Sequence, residues 1–205
     1  MVHAGLLVHR RVLHARSGVY IATRDGLDLG GCERMRPCRI SFGTYEHTVA
    51  LPYLVIALEE EFGAQHVLAE RELRLGTSED RDAFQISVAS ERRGSHWPDA
   101  IVLGAIDGKP LAIELERTVK RTGRLDAILR GYVRARSIGG VRYYAATLAA
   151  RAAVERSVRR IKAPSGLIEV RGWASGEGAI DCRDWDSADV IPFPGRTTDG
   201  GRRAA

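Results

Sequence analysis

Two short segments joined by a turn constrain the fold of this chain most strongly. Residues 99–104 form an apolar run that begins with an aspartate, and residues 112–116 alternate between apolar and acidic side chains. An Asp-Gly pair at 107–108 lies between them and is a turn signal typical of β-hairpins. Because strand side chains have a period of two, Glu114 and Glu116 must project from one face. The sequence therefore predicts two paired strands that bring the leading aspartate near both glutamates.

Three converging carboxylates would repel one another strongly unless a cation lies among them. Mg²⁺ or Mn²⁺ is the expected cofactor, because hard divalent cations prefer oxygen ligands and keep positions open for water and phosphate. We predict Asp99, Glu114 and Glu116 as its ligands. Lys120 lies four residues beyond Glu116 and could reach a phosphate as a point charge. The alternative is a surface hairpin whose acids are solvated.

A concentration of positive charge follows the hairpin. Between Arg117 and Lys162 there are thirteen Lys or Arg residues and only two acids, a composition that suits a polyanion such as DNA. Codon bias is the competing explanation, because 28 of the 31 basic residues are arginines. It explains the preference for Arg better than it explains the clustering. The candidate DNA-binding residues are Arg117, Arg121, Arg124, Arg130 and Arg134.

Other features exclude several classes of protein. The chain has no apolar run of about eighteen residues, so we expect no membrane span. It also lacks a secretory signal pattern, and we expect a cytoplasmic protein. Its cysteines are odd in number and lack metal-binding spacing, and no nucleotide-binding glycine loop occurs.

The Pro98-Asp99 pair and the Glu114-Leu115-Glu116 string resemble the PD-(D/E)xK nuclease superfamily, with Glu116 where the usual lysine would stand. The longer pattern over residues 114–132 resembles the replication-relaxation family of plasmid-associated proteins. This resemblance covers residues 46–172. It implies an α/β fold with a restriction-endonuclease-like αβββαβ core, in which a mixed central sheet is flanked by helices.

The resemblance also implies a division of the chain and a function. Residues 1–30 would form a β-hairpin resembling the wing of a winged helix, 31–45 a linker, 46–175 the nuclease-like domain and 176–205 a loosely ordered tail. The helices that precede such a wing are not in this sequence, which leaves an upstream portion or a degenerate domain as alternatives.

The function implied is a metal-dependent endonuclease or nickase acting on plasmid or mobile-element DNA. In that function Asp99, Glu114, Glu116 and Lys120 would be catalytic. The alternative is an inactive DNA-binding accessory protein that recruits a relaxase or replication protein. A homodimer remains open in both cases.

Four further residues are weaker candidates. His47 opens the first long helix, where the superfamily often places an acid, although a lone helix histidine is more often structural. Glu70 and Glu72 are expected to share one face of a strand over residues 66–74. His96 precedes the Pro-Asp pair and receives no assigned role.

Overall fold

A mixed β-sheet with helices on both faces follows a separate N-terminal hairpin. The computed structural model describes residues 1–14, 18–89, 94–173 and 190–191. The strands are β1 (Leu7–Arg10), β2 (Val19–Ala22), β3 (Val67–Ala69), β4 (Ile86–Ser87), β5 (Ser95–His96), β6 (Ala100–Ile106), β7 (Lys109–Glu116), β8 (Gly140–Ala145), β9 (Ile168–Trp173) and β10 (Val190–Ile191). The helices are α1 (Arg24–Leu29), α2 (Tyr45–Phe62), α3 (Glu70–Leu73), α4 (Ser78–Phe84), α5 (Thr122–Arg134) and α6 (Leu148–Ile161).

The central sheet has the strand order β10-β9-β8-β7-β6-β3. β3, β6 and β7 form antiparallel pairs, whereas β7, β8, β9 and β10 pair in parallel. Parallel neighbours need a crossover connection, and α5 and α6 supply the connections from β7 to β8 and from β8 to β9. The expected mixed α/β sheet and the N-terminal β-hairpin are therefore confirmed. None of the described helices is long and apolar enough to cross a membrane.

The β6–β7 hairpin forms where the sequence predicted it. Ala100 pairs with Ile113, and the turn is closed by Ile106 opposite Lys109. Asp107 and Gly108 have φ angles of 48° and 79°. Two consecutive positive φ angles are what a two-residue hairpin turn of the favoured twist requires, and Asp-Gly tolerates them.

The two faces of the sheet belong to different buried clusters. Ala112 packs in the cluster that contains the buried residues of α5, whereas Ile113 and Leu115 pack with those of α2. Because side chains alternate along a strand, Glu114 and Glu116 share the α5 face with Ala112. A strand buried on both faces thus carries two acids into the interior.

Part of the chain before the hairpin folds differently from the expectation. The strand predicted over 66–74 is wrong beyond Ala69, where α3 begins. Glu72 there accepts a hydrogen bond from the Ala69 backbone N–H at 2.8 Å, a helix-capping contact that competes with strand extension. Glu70 and Glu72 therefore do not share a strand face.

The polar composition of residues 76–82 predicts a loop, but this prediction is wrong, because α4 begins at Ser78. The Thr77 hydroxyl accepts from the Asp80 N–H at 3.3 Å, and the Asp80 carboxylate accepts from the Thr77 N–H at 2.8 Å. This reciprocal pair is a capping box, and its Thr-x-x-Asp signature is present in the sequence.

The two ends of the chain bear on the proposed domains. Within residues 1–30, which were expected to resemble a wing, the β1–β2 hairpin is followed by helix α1. The Thr23 hydroxyl caps this helix by accepting a hydrogen bond from the Gly26 N–H at 3.1 Å. The tail predicted over 176–205 lies outside the described residues, apart from β10, which pairs with Gly172 and Trp173.

An ion pair between a buried aspartate and an exposed arginine joins α5 to α6. Asp126 accepts two hydrogen bonds from the Arg160 guanidinium, at 2.8 and 2.7 Å, and another from the Ser157 hydroxyl. The Arg160 hydrogen bonds, reinforced by Ser157, hold the pKa of Asp126 at about 2 instead of its usual 3.8. One of the two acids in the basic segment is therefore structural.

Substituting Asp126→Asn should lower the free energy of unfolding at pH 7 by about 2 kcal/mol, the usual contribution of hydrogen bonds to a charged group. Since folding depresses this pKa, the stabilisation is present above pH 3.8 and is lost as pH falls towards 2. The difference between the two proteins, measured by urea unfolding, should be smaller at pH 3 than at pH 7. Asp107→Asn is the control, because Asn-Gly suits the same turn. An equal difference at both pH values would contradict the assignment.

Candidate functional site

The β6–β7 hairpin gathers the three predicted carboxylates at one end. Asp99 directly precedes β6, and its backbone N–H donates to the Ile113 carbonyl at 3.0 Å. Its carboxylate accepts from the Leu115 N–H at 2.7 Å, which fixes it beside the end of β7. Glu114 and Glu116 are only 2% and 3% exposed. Burying carboxylates this far requires compensating partners.

Each carboxylate has a basic partner from another part of the fold. His47 Nε2, on α2, lies 3.1 Å from Asp99 Oδ1, and His96 Nε2, on β5, lies 2.6 Å from Glu114 Oε1. Lys120, in the connection between β7 and α5, donates to Glu116 Oε2. We call these six side chains the carboxylate cluster: His47, His96, Asp99, Glu114, Glu116 and Lys120.

The surroundings of the basic cluster members favour their charged forms. The hydrogen bond from His47 to Asp99 raises the pKa of His47, against an opposing effect of burial. Burial would lower the pKa of His96 and of Lys120, but the nearby glutamates outweigh it and raise both. Raised pKa values at all three bases indicate that negative charge dominates their surroundings.

The two glutamates differ in the charge they carry. Burial would raise the pKa of Glu114, but the charge and hydrogen bond of His96 outweigh it, and the pKa is lowered. For Glu116 burial prevails over the attraction of Lys120, and its pKa is raised. Glu114 is therefore the firmly ionised acid, whereas Glu116 takes up a proton more readily. Such divergence between neighbouring carboxylates is typical of sites that transfer protons.

Two buried tyrosines adjoin Glu114. Tyr132, on α5, donates its hydroxyl proton to Glu114 Oε1. Tyr143 lies beside Glu114 in the parallel register of β7 and β8. Among the described residues its hydroxyl is buried and has no hydrogen-bond partner. Burial raises both tyrosine pKa values, so both phenols are neutral hydrogen-bond donors.

The predicted arginines are placed unequally. Arg117 donates to Glu46 Oε2 on α2 at 3.0 Å and is half-buried. Arg121, Arg124, Arg130 and Arg134 are exposed, at or on α5. In contrast, Arg142 is buried in β8 and bonds to Glu169 and Glu61. Some basic residues of the segment therefore form internal ion pairs, and exposed ones lie along both α5 and α6.

Several site residues were not assigned from the sequence. His96 received no role and His47 was favoured as structural, yet both are cluster members. The signal for His96 was its proximity to Asp99 in sequence, and the signal for His47 was its place at the start of the helix where the superfamily often has an acid. Tyr143 gave no signal, because its place beside Glu114 depends on strand register. Conversely, Glu70 is paired with Arg74, and Glu72 caps α3.

Within the described part of the chain, no three or more His, Cys, Asp or Glu side chains form a group that could hold a metal ion as they stand. Comparison with protein-family models, curated protein sequences and solved structures found no match to this chain. The resemblance to nucleases therefore rests on the sequence motif, and its functional meaning rests on the geometry of the cluster.

Proposed function

We propose that the protein is a metal-dependent DNA endonuclease or nickase acting on plasmid or mobile-element DNA. The observation that carries this proposal is the convergence of Asp99, Glu114 and Glu116 with Lys120 at one end of the β6–β7 hairpin. The order α2, β3, β6, β7, α5, β8 agrees with a restriction-endonuclease-like αβββαβ core, which we propose as the finer description of the fold.

The donor set fits a hard divalent cation, Mg²⁺ or Mn²⁺. Asp99, Glu114 and Glu116 would hold it, since carboxylate oxygens are the ligands these ions prefer. The acids raise the pKa values of all three neighbouring bases, so positive charge is stabilised beside them. Because the acids bind His47, His96 and Lys120, a cation must replace some of these contacts. When bound, such an ion polarises a phosphodiester group.

The protein's own side chains supply the remaining chemistry. Lys120 stays charged and would stabilise the negative charge that develops on the phosphate. Glu116, whose pKa is raised, would orient the attacking water and accept its proton. In the resembled superfamily, the position that corresponds to Glu116 usually holds a lysine. Here Lys120 would bring the same charge from four residues further along the chain.

DNA would be held mainly through its backbone. The exposed arginines at or on α5 are suited to phosphate contacts, which position a duplex without reading its sequence. Choice of sequence would then come from a partner such as a relaxase or replication protein, or from a second copy of the chain.

One observation favours a second function, a non-catalytic DNA-binding accessory protein. Every carboxylate of the cluster already has a basic partner within the fold, so the acids can be stabilised without a metal ion. A nuclease core that has lost catalysis would retain the exposed arginines and bind DNA through them.

Incubation with supercoiled plasmid separates the two functions. The endonuclease should relax or linearise plasmid DNA with Mg²⁺ or Mn²⁺, and EDTA should abolish the reaction. DNA binding should persist in EDTA and weaken steeply as salt is raised. Binding with this salt dependence but no cleavage in either metal would instead establish the accessory function.

A further inference from the structure

Among the residues that the structure describes, the hydroxyl of Tyr143 is a buried polar group without a partner. Its oxygen is buried without a hydrogen-bond partner among the described residues, and the side chain is only 1% exposed. A buried polar group without a partner costs free energy, and native structures rarely leave one. A ligand that is bound during function is one explanation for such a group.

Strand register places the Tyr143 side chain beside that of Glu114. Tyr143 is paired with Glu114 across β7 and β8, and paired residues of neighbouring strands point to the same face. It packs in the same buried cluster as Tyr132 and Ala112. After burial, the charges of Glu114, Glu116 and Asp99 are what raise its pKa. The phenol is therefore a neutral donor that lies close enough to the three carboxylates for their charges to act on it.

We propose that the Tyr143 hydroxyl donates a hydrogen bond to an oxygen of a ligand, a water molecule or a phosphate group, that binds between the carboxylates with the divalent cation. This inference rests on the metal site of the proposed function, but not on cleavage. Carboxylates only accept hydrogen bonds, so they cannot orient a ligand oxygen by donation. Tyr143 would be the positioning residue that does so.

Tyr132 provides a matched comparison, because it is an equally buried tyrosine beside the same glutamate. The Tyr132 hydroxyl donates a hydrogen bond to Glu114, whereas the Tyr143 hydroxyl has no acceptor among the described residues. Without a cation, Tyr132→Phe should lower the melting temperature. Tyr143→Phe should leave the melting temperature unchanged or raise it, because it removes an unpaired buried hydroxyl.

Calorimetric titration of Mn²⁺ tests the proposal without an activity assay. Mn²⁺ is added to the wild type, Tyr143→Phe and Tyr132→Phe, first alone and then with a short DNA duplex. Tyr143→Phe should weaken Mn²⁺ binding about tenfold, which corresponds to about 1.4 kcal/mol. Weakening in both arms identifies water as the ligand, and weakening only with DNA identifies a phosphate oxygen.

Several outcomes would overturn the inference. Equal Mn²⁺ affinities of Tyr143→Phe and the wild type in both arms would do so, as would a lower melting temperature of Tyr143→Phe without a cation. A wild type that binds no Mn²⁺ in either arm would reject both this inference and the metal-dependent function. Mn²⁺ binding that depends on Tyr143, without DNA cleavage, would reject the endonuclease and support the inference.

Discussion

Substituting Asp99→Asn is expected to reduce metal-dependent plasmid cleavage by at least about 100-fold, the upper end of the effect of residues that only support a metal ligand. Asp99 binds the Leu115 N–H and lies next to His47. Asparagine has the same shape and can keep the bond to Leu115, so the hairpin should remain intact. The negative charge would be lost, and with it the attraction for a divalent cation.

The measurement is the rate of supercoiled plasmid loss at saturating Mg²⁺, with DNA affinity measured in parallel. DNA affinity should be unchanged, because the exposed arginines are untouched. Asp107→Asn makes the same chemical change in the turn of the same hairpin and should cleave at the wild-type rate. Unchanged cleavage by Asp99→Asn would reject the assignment of this carboxylate to the active site.

Substituting Lys120→Met should lower the cleavage rate by about 10² to 10³, the range observed when one group that stabilises transition-state charge is removed. Lys120 donates to Glu116 and stays charged despite its burial. Methionine retains much of the apolar stem while removing the charge. Lys120→Met should lower the cleavage rate at saturating DNA and metal more than it lowers DNA affinity, because in the proposed function the exposed arginines supply most of the binding.

Moving the lysine tests whether its charge or its position matters. Glu116→Lys combined with Lys120→Met puts a lysine where the resembled superfamily has one. Because this double variant also removes Glu116, which the proposed function makes a ligand and the acceptor of the water's proton, it should cleave no faster than Lys120→Met, and a recovery of about tenfold or more would contradict that role of Glu116. Lys109→Met, at the opposite end of β7, should have no effect. Full cleavage by Lys120→Met would exclude a catalytic role for this lysine.

Local signals in the sequence were sufficient for several features of the fold. The Asp-Gly turn between apolar runs fixed the β6–β7 hairpin, and alternation placed Glu114 and Glu116 on one face. The start of α6 also depends on a contact between residues close in sequence, because the Thr147 hydroxyl accepts a hydrogen bond from the Ala150 N–H at 3.0 Å. Where local signals competed, the expectation failed: Glu72 looked like part of an alternating strand but instead caps α3.

The sequence by itself determined the three carboxylates and the hairpin that brings them together, because turn chemistry and side-chain period act over a few residues. Only the tertiary structure decided how those acids are neutralised. His47 and His96 come from α2 and β5. Tyr143 lies beside Glu114 because of the register in which β8 pairs with β7. Such contacts depend on how segments that are distant in sequence pack together, and the spacing of residues along the chain does not predict this packing.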